Sequence, residues 1–172
     1  EQMRGQVAAL SGQPDVALKM LRRALAGLGA DATPAQTYRL YWQIGKLQAQ
    51  AGEMDAALTN YERAIANLDR IRGELLQGST LVFTERVLPV YQGYIELLLE
   101  KAEVPGQESK WLGQVQETLE GLNAAEILDY FDDNCVLPRD VMSLSNTAAG
   151  TAVLYPITLG TRPVLLVRTA NG

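Results

Sequence analysis

The sequence predicts a mainly α fold, in which antiparallel helix pairs recur at a period of about 40 residues and a C-terminal β-hairpin follows. Three observations predict it. Ala and Leu dominate the first two thirds, and both lose little conformational freedom on entering a helix. Two helix-pair patterns align at one fixed offset. Residues 151–172 then switch to β-branched and apolar runs separated by turn residues.

The repeat comes first. Gly5 aligns with Gly45, Gly12 with Gly52, Ala17 with Ala57, Leu21 with Tyr61, Ala24 with Ala64 and Leu25 with Ile65, always at an offset of 40 (57 minus 17). In the second copy, Thr33-Pro34 reads as an N-cap followed by proline at N1. Gly45 lets the two helices of the pair approach closely, and Gly52 stands where the first helix must end and reverse. Ala57 and Ala64 share one face of the second helix with Tyr61 between them, small residues framing a large one. That helix is expected to run on through Leu68, Ile71 and Leu75.

A third pair should follow the break at Gln77-Gly78-Ser79-Thr80. Its first helix is expected over Glu85–Lys101, with Tyr91, Ile95, Leu98 and Leu99 on one face and Pro89 in its first turns or kinking it. Val104-Pro105-Gly106-Gln107 reads as a turn. Lys110–Tyr130 reads as the second helix, with Trp111, Val115, Leu119, Leu122, Ile127 and Leu128 apolar. The tyrosines 38, 41, 61, 91 and 94 are read as packing residues.

After Cys135 the composition changes. Residues 136–150 read as a linker, and 152–158 and 163–169 as strands joined across Leu159-Gly160-Thr161-Arg162. An isolated hairpin is marginal in water and has two unpaired edges. It must either pack on the helices or open a larger sheet, and the turn signal Asn171-Gly172 favours the larger sheet. Its edges also invite self-association.

The small–small–aromatic pattern of Gly45, Gly52, Ala57, Tyr61 and Ala64 resembles the tetratricopeptide repeat. Two features depart from that family: Asp69 stands near the place of the closing proline, and the period is 40 instead of roughly 34. Repeats leading into Ala124-Ala125-Glu126-Ile127-Leu128-Asp129-Tyr130-Phe131-Asp132-Asp133-Asn134-Cys135, then the strand Ala152–Ile157 and a second strand ending in Asn171-Gly172, resemble the junction in bacterial CHAT-domain proteins. The resemblance implies an α-solenoid over 1–135, the linker, and over 151–172 the first strands of a caspase-like domain. It further implies a cysteine peptidase of clan-CD type whose His–Cys dyad lies downstream, with the repeats regulating or recruiting. The expected partners are thus a protein or peptide, and the caspase-like domain in cis.

The chemistry available in these 172 residues is narrow. Histidine is absent, which removes His-activated nucleophiles and histidine zinc sites from this chain, and no catalytic residue, metal site or cofactor is expected in it. Cys135 reads as a small apolar residue at a helix end, and Asp129, Asp132 and Asp133 as a solvated helix end without calcium-loop spacing. The net charge of −5, with no basic stripe, argues against nucleic acid. No apolar run reaches the length of a membrane span. Glu1-Gln2-Met3-Arg4 enters a helical pattern directly, as if the true N-terminus were missing; a cytoplasmic location is slightly favoured.

One face carries a candidate site. Arg39, Trp42, Lys46 and Gln50 recur at i, i+3, i+7 and i+11 on the first helix of the clearest pair. Two cations beside an aromatic ring could grip an acidic or C-terminal peptide. The competing reading is that Trp42 packs against a neighbouring helix and the cations only solvate the surface. The Arg22-Arg23 pair reads as a solvated face.

Overall fold

The computed structural model describes residues 13–29, 31–75, 83–131, 150–160 and 162–169, and within the helices the side chains of 72–75, 125 and 127–131 fall outside that description. The expectations for Gly5, Gly12, the break at 77–80, Asp132, Asp133, Cys135, the linker at 136–149 and Asn171-Gly172 therefore lie outside the described residues, as do those for the side chains of Leu75, Ile127, Leu128 and Asp129. The described residues form five helices in antiparallel packed pairs, followed by a two-stranded antiparallel hairpin. They belong to two compact units, Glu1–Leu75 and Leu76–Gly172.

In the first unit, α1 spans Pro14–Gly27, α2 Pro34–Gln50 and α3 Met54–Leu75. Ala17 and Leu21 of α1 are buried one turn apart, against Leu40, Ile44 and Leu47 of α2. Helix α2 begins as a capping box: the Gln36 amide donates to Thr33 Oγ1 (3.3 Å), and the Thr33 amide donates to Gln36 Oε1 (3.1 Å). It ends in a Schellman motif. The Glu53 amide reaches back to the Gln48 carbonyl (2.8 Å) and the Gly52 amide to that of Ala49 (3.0 Å). Gly52 takes the left-handed φ of 78° that this motif requires.

The α2–α3 contact is shaped around Gly45. A Cβ there would lie 2.9 Å from Cδ2 of Tyr61 and 3.3 Å from the Ala57 carbonyl oxygen, so only hydrogen fits beside the unmoved ring. Ala57, Tyr61, Ala64, Leu68 and Ile71 are all buried, one stripe at alternating steps of four and three along α3. The buried Gln48 is satisfied at both ends: Asn60 Nδ2 donates to its oxygen (2.7 Å), and its own Nε2 donates to Glu53 (3.1 Å). Thr37 Oγ1 donates to Asn67 Oδ1 (3.0 Å), a second polar tie between the two helices.

In the second unit, α4 spans Leu88–Ala102 and α5 Glu108–Phe131. The helix expected from Glu85 starts differently. Phe83–Val87 winds as a π-helical turn, and regular α-helix begins at Leu88 with Pro89 in its first two positions. Proline has no N–H and its ring crowds the carbonyl four residues back, so the wider turn accommodates it before the α pattern begins. Tyr91, Ile95 and Leu98 are buried as expected and Leu99 half-buried, while Tyr94 and Leu97 widen the buried face. In α5, Val115, Leu119 and Leu122 are buried and Trp111 is half-buried. The turn between α4 and α5 uses Gly106 at φ 85°.

Strands β1 (Ala152–Leu159) and β2 (Arg162–Thr169) pair from Ala152↔Thr169 to Leu159↔Arg162, each one residue longer at the turn than expected. Gly160 in that turn has a φ of 57°. The inner face packs on the helices: Tyr155, Ile157 and Leu159 are buried. Tyr155 Oη donates to Glu120 Oε1 of α5 (3.1 Å), Arg168 Nη1 donates to Gln116 Oε1, and Gln92 Nε2 of α4 donates to the Thr158 carbonyl (2.9 Å). The outer face is apolar yet open, with Leu154, Leu165 and Val167 exposed by 58, 60 and 48%.

Candidate functional site

Helix α2 presents the four residues singled out by spacing. Arg39, Lys46 and Gln50 are exposed and Trp42 is half-buried. Lys46 Nζ stands 5.2 Å from the centre of the Trp42 ring, so these two form a cation–π pair. Arg39 is drawn elsewhere: its Nε donates to Tyr38 Oη (3.1 Å), with the guanidinium 5.7 Å from that ring. The structure thus brings Trp42 and Lys46 together, while the Arg39 backbone lies about 10 Å along the axis from that of Lys46, two helical turns away. Tyr38 and Tyr61 are buried as packing residues; Tyr41 is half-buried, with Arg63 of α3 over its ring at 5.7 Å. Arg22 and Arg23 of α1 are exposed.

Spacing alone missed one neighbour. Trp42 Nε1 and Gln43 Oε1 are both buried atoms without a hydrogen-bond partner, a donor and an acceptor on consecutive residues. The sequence signal was weak, because Gln43 lies one step off the stripe through positions 39, 42, 46 and 50. Helix α2 contains two cations and no acid, although the chain as a whole carries −5. Its field therefore favours an anionic group.

A second aromatic–cation cluster lies at the start of α5. Lys110 Nζ is 4.1 Å and Lys101 Nζ 5.6 Å from the Trp111 ring, whose Nε1 donates to Gln107 Oε1 (3.0 Å). The indole N–H here is satisfied, unlike that of Trp42.

Among the described residues, two groups have displaced titrations. Desolvation, then the hydrogen bond to Glu120 and its charge, raises the Tyr155 phenol above its usual value of 10.0. Backbone N–H bonds from Glu108 itself and Gly106 at the start of α5 lower the Glu108 carboxyl. Among the described residues there is no cluster of His, Cys, Asp and Glu able to hold a metal ion, and no helix long and apolar enough to cross a membrane. No protein-family model matches the chain, and no curated protein or solved structure matches it either.

Proposed function

We propose that the chain is a protein-interaction scaffold: tetratricopeptide-type helix pairs, stacked as an α-solenoid, that regulate or recruit for a CHAT-type caspase-like domain in cis. The observation that carries the interaction role is helix α2, free of acidic residues, where exposed Lys46 stacks on the half-buried Trp42 ring. The ligand of this face is an acidic or C-terminal peptide, whose carboxylates meet Lys46 and Arg39. The tetratricopeptide reading draws support from Gly45, Ala57 and Tyr61, which meet at the close helix–helix contact. The attachment to a larger α/β domain draws support from a β-hairpin apolar on both faces, the pattern of strands covered on two sides.

A free-standing adaptor would use the same face, so the experiment has two arms. In the first, titration calorimetry with an acidic C-terminal peptide compares the chain with Lys46→Glu; about tenfold weaker binding is expected from losing one contact and gaining one repulsion. Unchanged affinity would remove α2 from the site. In the second, the longest product of the gene is assayed for peptidase activity with and without the peptide; a product without a His and a Cys at strand ends would leave the adaptor reading alone.

A further inference from the structure

Tyr38 belongs to the core by its ring and to the surface by its hydroxyl. The residue is only 2% exposed, so the ring is fixed by packing. A buried ring with two side-chain torsions leaves its hydroxyl little freedom, and Oη becomes a fixed point at the rim of α2. The group that meets it there is an exposed side chain: Arg39 Nε donates to Tyr38 Oη (3.1 Å).

That bond decides how Arg39 presents its charge. A guanidinium is a planar fork with one N–H on Nε and the rest on two terminal Nη groups. A carboxylate can approach it side-on, across Nε and one Nη, or end-on, across both Nη groups. With Nε held by Tyr38, the end-on approach is the one left. The guanidinium also stands 5.7 Å from the centre of the Tyr38 ring, within cation–π reach.

Lys46 is held in a related way, with Nζ 5.2 Å from the centre of the Trp42 ring. Arg39 leans on the residue before it and Lys46 on the residue four before it. The two anchors, Tyr38 and Trp42, are themselves one turn apart on one face, about 6 Å along the axis. Two like charges with backbones two turns apart are thus drawn to neighbouring rings, on a helix that contains no acid. Such an arrangement favours an anion more than either cation does alone.

We propose that Tyr38 is a positioning residue of the α2 site: its hydroxyl, not its ring, holds Arg39 so that the two Nη groups receive a ligand carboxylate end-on. This rests on the acidic-peptide reading of the same face and adds what orders the arginine before the ligand arrives. A long side chain that is free in the unbound protein loses rotamer freedom on binding, and one already ordered loses less. The competing role is that the bond only satisfies a buried phenol. Under that role, peptide affinity does not depend on the Tyr38 oxygen.

Titration calorimetry of the intact chain with an acidic C-terminal peptide separates the two. Tyr38→Phe keeps the ring and removes the oxygen; it should weaken binding by about three- to tenfold while circular dichroism stays unchanged. Arg39→Ala should weaken it at least as much, and adding Tyr38→Phe to Arg39→Ala should change affinity by less than about twofold, because the hydroxyl acts through Arg39. Without peptide, the Arg39 Nε–H should exchange with water more slowly than that of exposed Arg22 by nuclear magnetic resonance, and Tyr38→Phe should abolish the difference. A wild-type chain that binds no acidic peptide would remove the reading of the face and this proposal together. Binding that Lys46→Glu weakens and Tyr38→Phe does not would keep that reading and overturn the role of Tyr38. A loss from Tyr38→Phe that persists in full in the Arg39→Ala background would overturn it as well.

Discussion

The α2–α3 pair and the β-hairpin solve the same problem to different extents. In the helix pair Leu40, Ile44, Leu47, Tyr61 and Leu68 are buried, and the backbone itself is adapted to the contact: hydrogen at Gly45 where the Tyr61 ring lies, and a left-handed Gly52 where the chain reverses. The β-hairpin buries Tyr155, Ile157 and Leu159 on one face and leaves Leu154, Leu165 and Val167 in solvent on the other. The helix pair is therefore a closed packing unit, and the hairpin a half-used one. Sequence changes should be punished in the first and tolerated on the open side of the second.

That difference can be broken or sharpened by mutation. The largest effect is expected from Gly45→Ala, whose new methyl meets the buried Tyr61 ring; chemical denaturation should show a loss of about 1–3 kcal/mol. The clash should vanish with the ring, so the same change in a Tyr61→Ala background should cost less than about 0.5 kcal/mol. An equal loss in both backgrounds would mean that Gly45 is not shaped by Tyr61. A middle effect is expected from Tyr155→Phe, which removes the phenol–Glu120 hydrogen bond and should cost about 0.5–1.5 kcal/mol.

The same residue has a pH signature. The folded chain holds the Tyr155 proton more tightly than the unfolded chain, so this stabilisation is fully present below about pH 10 and drains away as pH rises through the raised value. Wild type should lose that increment of unfolding free energy in alkali and Tyr155→Phe should not; parallel alkaline profiles would contradict the assignment. The smallest effect is expected from Leu154→Thr on the open face, a change in unfolding free energy within about 0.5 kcal/mol. A larger loss would mean that this face is covered.

The helix pair was legible in the sequence because its determinants are local or nearly so. Thr33-Pro34, Gly45, Gly52, Ala57, Tyr61 and Ala64 each do what their spacing implied, and the reach of α3 through Ile71 followed from the same stripe. The start of α4 was not legible. Pro89 announced a disturbance, but whether the preceding turn would kink, stop or widen depends on how Phe83 and Val87 are buried. The hairpin was legible as two strands and a turn. Which face packs, and that Gln92 occupies one edge, depended on residues distant in sequence. At the α2 face, periodicity found Arg39, Trp42, Lys46 and Gln50. It could not single out Gln43, whose buried, partnerless Oε1 is a matter of packing and not of a position on a stripe.

The Gly45–Tyr61 contact has a bearing on the order in which the chain assembles. It joins residues 16 apart in sequence (61 minus 45), whereas the hydrogen bond between Gln116 and Arg168 spans 52. Closing the longer loop sacrifices about 1 kcal/mol more chain entropy than closing the shorter. The α2–α3 contact can therefore form from local encounters, with its capping box and Schellman turn defining both ends of α2. The strands must wait for α5 to be in place before their inner face finds a surface. The half-used element is thus also the late one.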